Sequence, residues 1–159
     1  MVKLVASIKA EFENVDALEP DETTFWFTLS CSSCREVQKA PVAIDSTEEM
    51  PIQGSRGTAN LVMKCGFCGK AMNVSFDPAF KHKPYSADDA SSQLFGKVAQ
   101  FECRGCELVE FLPLRSTWRC KGVKGAAFEG ISLEDWTDFD EQAREPVSIS
   151  EVTTKIARA

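Results

Sequence analysis

The stretch TFWFTLSCSSC, residues 24–34, decides the fold. Phe25, Phe27 and Leu29 alternate with Thr24, Trp26 and Thr28, the period of two that sends one set of side chains to a core and the other outward. The alternation runs into Cys31-Ser-Ser-Cys34. Two residues between cysteines permit a tight turn that aims both sulfurs, and some backbone amides, at one centre. The segment therefore reads as a strand of a β-hairpin with a metal-binding knuckle at its tip.

The same pattern occurs twice more, in LVMKCGFCGK (61–70) and AQFECRGCEL (99–108). Strand, Cys-x-x-Cys, strand thus recurs three times, with first cysteines at 31, 65 and 103, and is expected to be a recurring hairpin. On either side of these units the pattern stays β. In KLVASIKAEF (3–12), Leu4, Ala6, Ile8, Ala10 and Phe12 face one way, with Val5 the single apolar residue on the other side. EVQKAPVAID (36–45) reads as a returning strand that Pro41 confines to an edge. Met72, Val74 and Phe76 resume the alternation after the second pair, a strand over 94–103 leads to the third, ELVEFLPL (107–114) leaves it, and VSISEVTTKI (147–156) closes the chain. The connections ENVDALEPDE (13–22), EEMPIQGSRGTAN (48–60), DPAFKHKPYSADDASS (77–92) and RSTWRCKGVKGAAFEG (115–130) read as turns and loops. SLEDWTDFDEQAREP (132–146) is expected to hold a short helical turn with Ser132 as its cap and Asp135 three residues on. The fold class that follows is all-β, a sandwich or barrel-like assembly of short antiparallel strands with a ribbon-like zinc knuckle site, in one domain over residues 1–159.

Composition limits the function. An apolar fraction of 43% and a charged fraction of 26% are those of a soluble globular protein. No apolar run approaches the roughly 20 residues of a membrane span, and MVKLVASIKAEF carries charges where a signal peptide would be apolar. The expectation is a cytoplasmic protein, with the nucleus as a second location. A formal net charge of −6, made more negative still by four metal-bound thiolates, repels a phosphate backbone and excludes nucleic acid as a partner class.

Seven cysteines in a reducing compartment point to metal or redox chemistry rather than to a disulfide framework. Cys31, Cys34, Cys65 and Cys68 together supply the four sulfurs of a closed tetrahedral shell, with one zinc ion per chain. Zinc is preferred to iron because an S₄ iron site needs the same ligands in a rarer setting. Four thiolates leave no open position for water, so the ion is expected to be structural rather than catalytic. The chain carries no phosphate-binding loop, no His-Glu-x-x-His and no serine nucleophile elbow. With His82 its only histidine, an enzyme is not expected.

The third pair, Cys103-Arg-Gly-Cys106, has three readings. It can join Cys120 and His82 in a second metal site, although Lys81 and Lys83 flank that histidine. It can be a redox or soft-metal transfer pair activated by Arg104, although no helix follows it. Or it can be a turn whose thiols have no obligatory task, the reading preferred here. Gly54-Ser-Arg-Gly57 matches a nucleic-acid-clamping G-x-x-G loop only superficially, because strands rather than helices flank it. DWTDFDE (135–141) is acidic and aromatic, without the glycine or spacing of a calcium loop.

With CSSC, GSRGTAN, CGFC, FECRG and DWTDFDE in this order, the chain resembles the eukaryotic CXXC-motif-containing zinc-binding proteins, from its first strand to SISEVT (148–153). The resemblance implies an all-β fold and one zinc on Cys31, Cys34, Cys65 and Cys68, with no defined biochemical activity beyond zinc binding. It also implies that Cys103, Arg104, Gly105 and Glu107 belong to the family pattern while Cys106 occupies a variable place. The expected function is a monomeric, non-enzymatic adaptor whose zinc rigidifies a surface for a protein partner. The alternative is a thiol-redox or soft-metal handling protein using the third pair.

Overall fold

The computed structural model describes residues 1–159. The chain begins with β1 (Val2–Glu13), β2 (Val15–Pro20) and β3 (Thr24–Cys31). Next come β4 (Val42–Asp45), the two-residue strands β5 (Met50–Pro51) and β6 (Thr58–Ala59), then β7 (Leu61–Lys64) and β8 (Ala71–Phe76). The single α-helix, α1 (Ala87–Ser91), precedes β9 (Gly96–Arg104) and β10 (Cys106–Phe111), and a 3-10 turn over Pro113–Arg115 follows. The chain closes with β11 (Trp118–Gly122), β12 (Ala127–Ile131), β13 (Trp136–Asp140) and β14 (Glu145–Arg158). Six strands form one sheet in the order β13-β14-β1-β9-β8-β7, and two three-stranded sheets run β10-β3-β4 and β12-β11-β2. All pairings are antiparallel, and the sheets curve into a half-barrel, the all-β class expected.

The alternation in β3 explains how two of these sheets meet. Its residues are buried and half-buried in strict turn, and Phe25, Phe27 and Leu29 point into the space below the six-stranded sheet. There Phe27 meets Phe101 of β9 edge-on at 5.0 Å between ring centroids and stacks on Phe111 of β10 at 5.2 Å. Phe76 of β8 approaches Phe101 at 4.6 Å. Such offset and edge-on pairs add to the burial of the rings themselves. Strand β1 lies at the centre of the large sheet. It pairs with β14, Leu4 opposite Arg158, and on its other side with β9, Val2 opposite Cys103. Flanked in this way, it buries Val5 and Ser7 as well as the expected face, so both of its faces are largely dry.

Several sequence expectations are corrected. ENVDALEPDE holds strand β2, anchored by buried Val15 and Leu18 and bent by left-handed Asn14 and Ala17. RSTWRCKGVKGAAFEG, read as a loop for its glycines, holds β11 and β12; Trp118, Cys120 and Gly122 are buried in alternation, and the glycines only make the hairpin turn. No helical turn follows Ser132. Its hydroxyl accepts the Glu134 amide instead, and DWTDFD forms β13 in a hairpin with β14, where cross-strand pairing overrides the local capping signal. EEMPIQGSRGTAN contains the miniature β5–β6 hairpin, with Gly54-Ser-Arg-Gly57 in its turn.

DPAFKHKPYSADDASS contains α1. The Ser86 hydroxyl accepts the Asp89 amide at 3.0 Å and the Asp89 carboxylate accepts the Ser86 amide at 3.2 Å, a reciprocal capping box. A five-residue helix has almost no internal bonds to propagate, so this cap matters to it. Ser86→Ala is expected to cost about 1 kcal/mol, measured by urea unfolding.

The third Cys-x-x-Cys is also different. The first two close hairpins, β3 with β4 and β7 with β8. Strands β9 and β10 do not pair. β9 belongs to the six-stranded sheet and β10 to the sheet of β3, so Arg104-Gly105 is a corner at which the chain leaves one sheet for the other. Gly105 has φ +74, the left-handed backbone that makes this corner sharp.

Candidate metal centre

The first knuckle leaves β3 at Cys31, and the second leaves β7 just before Cys65. In each, the residue after the second cysteine is left-handed, Arg35 at φ 66 and Gly69 at φ 75. Each then closes by a backbone bond onto its first cysteine: the Arg35 amide to the Cys31 carbonyl at 2.8 Å, and the Gly69 amide to the Cys65 carbonyl at 3.0 Å. These matched turns point the thiols of Cys31, Cys34, Cys65 and Cys68 at one another. All four Sγ atoms lie within 4.8 Å of each other. Across the two knuckles, Cys31 and Cys68 are 3.7 Å apart and Cys34 and Cys65 are 3.6 Å apart. A regular tetrahedron with metal–sulfur bonds of about 2.3 Å has edges of about 3.8 Å, so the cluster has the size of a zinc shell. It is far too open for disulfides, whose sulfurs stand about 2 Å apart. No other group of three or more potential ligands comes together.

The protons on these sulfurs are shared unevenly. The Cys34 amide foremost, against burial, holds the Cys31 thiol below its ordinary range. The Cys68 amide, outweighing burial and helped by the amides of Phe67 and Gln38, holds Cys65 down at about 6. For Cys34 the Glu36 amide favours the thiolate, yet burial and the neighbouring sulfurs win and push it up to about 12. Four thiols this close cannot all ionise alone. A dication at their centre removes the conflict, because every thiolate then faces charge of opposite sign. Cys31 and Cys65 are buried, Cys34 is half-buried and Cys68 is exposed. Arg35, Lys39, Lys64 and Lys70 stand exposed around the knuckles, where they offset the negative charge of a metal-thiolate cluster.

Below this cluster lies the third pair. Cys106 pairs across the strands with Cys31, and the Gly105 carbonyl accepts the Ser32 amide of the first knuckle at 3.0 Å. The Cys106 thiol is aimed at the Asn73 carbonyl, 3.6 Å away. Cys103 and Cys106 are each only 1% exposed. The neighbouring Cys106 sulfur, together with burial, pushes the Cys103 thiol well above its ordinary range. The CRGC corner is thus a footing for the first knuckle. His82 does not join it but lies 3.4 Å from Glu19, and Cys120 sits apart in β11, its thiol pushed up to about 12 by burial.

One residue at the centre escaped the sequence reading. In EVQKAP the apolar Val37 is 46% exposed while the polar Gln38 is only 7% exposed, the reverse of what residue type suggests. The Gln38 side chain crosses from the first knuckle to the second. Its Nε2 lies 3.3 Å from Cys65 Sγ, and its Oε1 accepts the Gly66 amide at 2.9 Å. Nothing in the sequence links positions 38 and 66.

The comparisons with known proteins bear on the whole of this arrangement. The family model for the CXXC motif containing zinc binding protein of eukaryotes matches residues 5–157. The CXXC motif containing zinc binding protein of Xenopus laevis is 36% identical, with 99% of each chain covered. That of Homo sapiens is 34% identical, again with 99% of each chain covered. Among solved structures, the crystal structure of C1orf123 has a TM-score of 0.88 at 33% identity, covering 99% of both chains. A hypothetical protein from Plasmodium falciparum has a TM-score of 0.85 at 27% identity, covering 99% of this chain and all of that one.

Proposed function

Because this chain belongs to the eukaryotic family of CXXC motif containing zinc binding proteins, we propose that Cys31, Cys34, Cys65 and Cys68 hold one structural zinc ion per chain and that the protein is a non-enzymatic adaptor. The observation that carries this reading is the closed shell: four sulfurs within 4.8 Å of one another, all of them thiols, with no position kept for water or substrate. When bound, zinc supplies a fixed cross-link between two hairpin tips rather than a Lewis acid. The residues of the chain do the rest. Backbone amides orient Cys31 and Cys65, and the surrounding cations balance the charge. On the rigid tip so formed, Phe67 and Val37 project into solvent, with the Lys39 ammonium 6.0 Å from the Phe67 ring. An apolar and cationic tip of this kind fits the adaptor role. Free thiols of this number call for a reducing compartment, so the protein belongs in the cytoplasm or nucleus, acting as a monomer on a protein partner.

Burial weighs against the alternative of a thiol-redox or soft-metal carrier built on the third pair, since redox cysteines are reachable thiolates and Cys103 and Cys106 are 1% exposed. Native mass spectrometry with elemental analysis tests the site. The expected result is one zinc per chain, lost in Cys65→Ser and retained in Cys103→Ser. Two metals per chain, iron in place of zinc, or loss in Cys103→Ser would overturn the assignment. The adaptor role would fall to a measured turnover that requires any of the cysteines.

A further inference from the structure

Gln38 is a buried polar side chain whose hydrogen bonds span the two halves of the centre. It is carried by the segment leaving the first knuckle, fixed there by its own amide donating to the Leu29 carbonyl at 2.8 Å. Its amide orientation is determined by its partners. The Gly66 amide is a donor, so the atom facing it at 2.9 Å must be Oε1. That leaves Nε2 toward two acceptors, Cys65 Sγ at 3.3 Å and the Glu36 carbonyl at 3.4 Å. The reversed amide would set donor against donor at Gly66 and acceptor against sulfur at Cys65, a double conflict for a side chain only 7% exposed.

We propose that Gln38 is the positioning residue of the metal centre: it locks the second knuckle onto the first and sets how tightly the cluster holds its ion. The inference rests on the zinc reading given above. Two effects act together. The Oε1 bond to Gly66 fixes the backbone on which Cys65 stands, so the second pair of sulfurs is in place before metal arrives. The Nε2–H bond to Cys65, added to the Phe67 amide at 3.4 Å, fixes the direction of that sulfur and draws electron density from it. Groups that hydrogen-bond metal ligands in this way are commonly worth ~10–100-fold in metal affinity.

Two substitutions separate these effects from simple packing. Gln38→Met keeps the volume and removes both bonds. Gln38→Glu keeps an acceptor for Gly66 but cannot donate to sulfur, and it places a carboxylate against a thiolate. Zinc affinity is to be measured by competition with a chromophoric chelator, and the sulfur-to-cobalt charge-transfer band on protein loaded with Co²⁺. The expected result is zinc affinity lowered by ~10–100-fold in Gln38→Met, at least as much in Gln38→Glu, with the charge-transfer band moved to lower energy in Gln38→Met. A packing role would not move that band. Should Gln38→Met fail to fold, Gln38→Glu decides by affinity alone. Wild-type affinity in a folded Gln38→Glu, or an unshifted band in a folded Gln38→Met, overturns the proposal. Wild-type protein that takes up no zinc overturns the underlying zinc reading as well, so the two failures are distinct.

Discussion

Cys65→Ser is expected to release the metal and to cost the protein a large part of its stability. Binding at a four-thiolate site of this type is worth roughly 10–16 kcal/mol apparent, as much as the whole stability of an ordinary domain. The hairpins it joins belong to different sheets, β3 with β4 in one and β7 with β8 in the other. Their knuckle tips meet chiefly through sulfur and through Gln38. Even if most of the binding energy is recovered by relaxation, a loss of about 5 kcal/mol lowers Tm by on the order of 10–20 °C for a chain of this size. Circular dichroism melts of the variant and of wild-type protein stripped by a chelator should agree. A variant that melts like the zinc-loaded wild type would contradict the structural role. Acid should act in the same direction. In the metal-free fold the Cys65 thiol is depressed from its ordinary value of 9.0 to about 6. Its contribution is therefore complete above the ordinary value and is lost as pH falls through the folded one. In the zinc-loaded protein protons compete with the ion for all four sulfurs, so zinc release followed against pH should rise on acidification, never on raising the pH.

Gly105→Ala is the second substitution expected to act strongly. Gly105 occupies φ +74, and an added Cβ would stand 2.5 Å from the Ala71 carbonyl oxygen. A left-handed alanine alone costs roughly 1–2 kcal/mol. Forcing a methyl against backbone that cannot swing aside costs about 1–3 kcal/mol more. The sum, roughly 2–5 kcal/mol, is to be read from urea unfolding. Gly125→Ala is the comparison: φ +91 but nothing within 4 Å of the new Cβ, so only the backbone cost should remain. Because the Gly105 carbonyl receives the Ser32 amide, Gly105→Ala should also weaken metal binding, which Gly125→Ala should leave alone. Equal effects of the two substitutions would remove the corner's special role.

The four clustered thiols were readable in the sequence because their geometry is local: two residues between cysteines determine each knuckle, and only the meeting of the two needed the fold. Strands β1, β3, β8 and β14 were readable for a similar reason, since each keeps its period of two long enough to show. Where side-chain periodicity was short, turn residues masked it. Trp118, Cys120 and Gly122 alternate correctly, but the glycines that follow made the segment look like a loop. The capping signal at Ser86 went unread because the helix it starts is a single turn. The third Cys-x-x-Cys shows a deeper limit. Its flanking strands were recognised, yet the sheet each would join depends on partners far away in the chain, Val74 opposite Cys103 and Cys31 opposite Cys106. Gln38 is the same case at one residue, since its burial is decided by Gly66 and Cys65.

The position of β1 has a consequence for synthesis on the ribosome. This strand is made before either of its partners, with one edge destined for β9 and the other for β14, which follows every other strand of that sheet. Until then a chain otherwise able to assemble its aromatic core carries, at the centre of its largest sheet, a row of unpaired amides and carbonyls. Exposed strand edges of that kind invite pairing with other nascent chains, and closure between distant segments is intrinsically slow. The protein is therefore expected to complete its folding only after β14 has left the exit tunnel, and to depend on chaperones during the interval. Nascent chains arrested before Glu145 should remain sensitive to protease along β1, while chains extended beyond Arg158 should become resistant there.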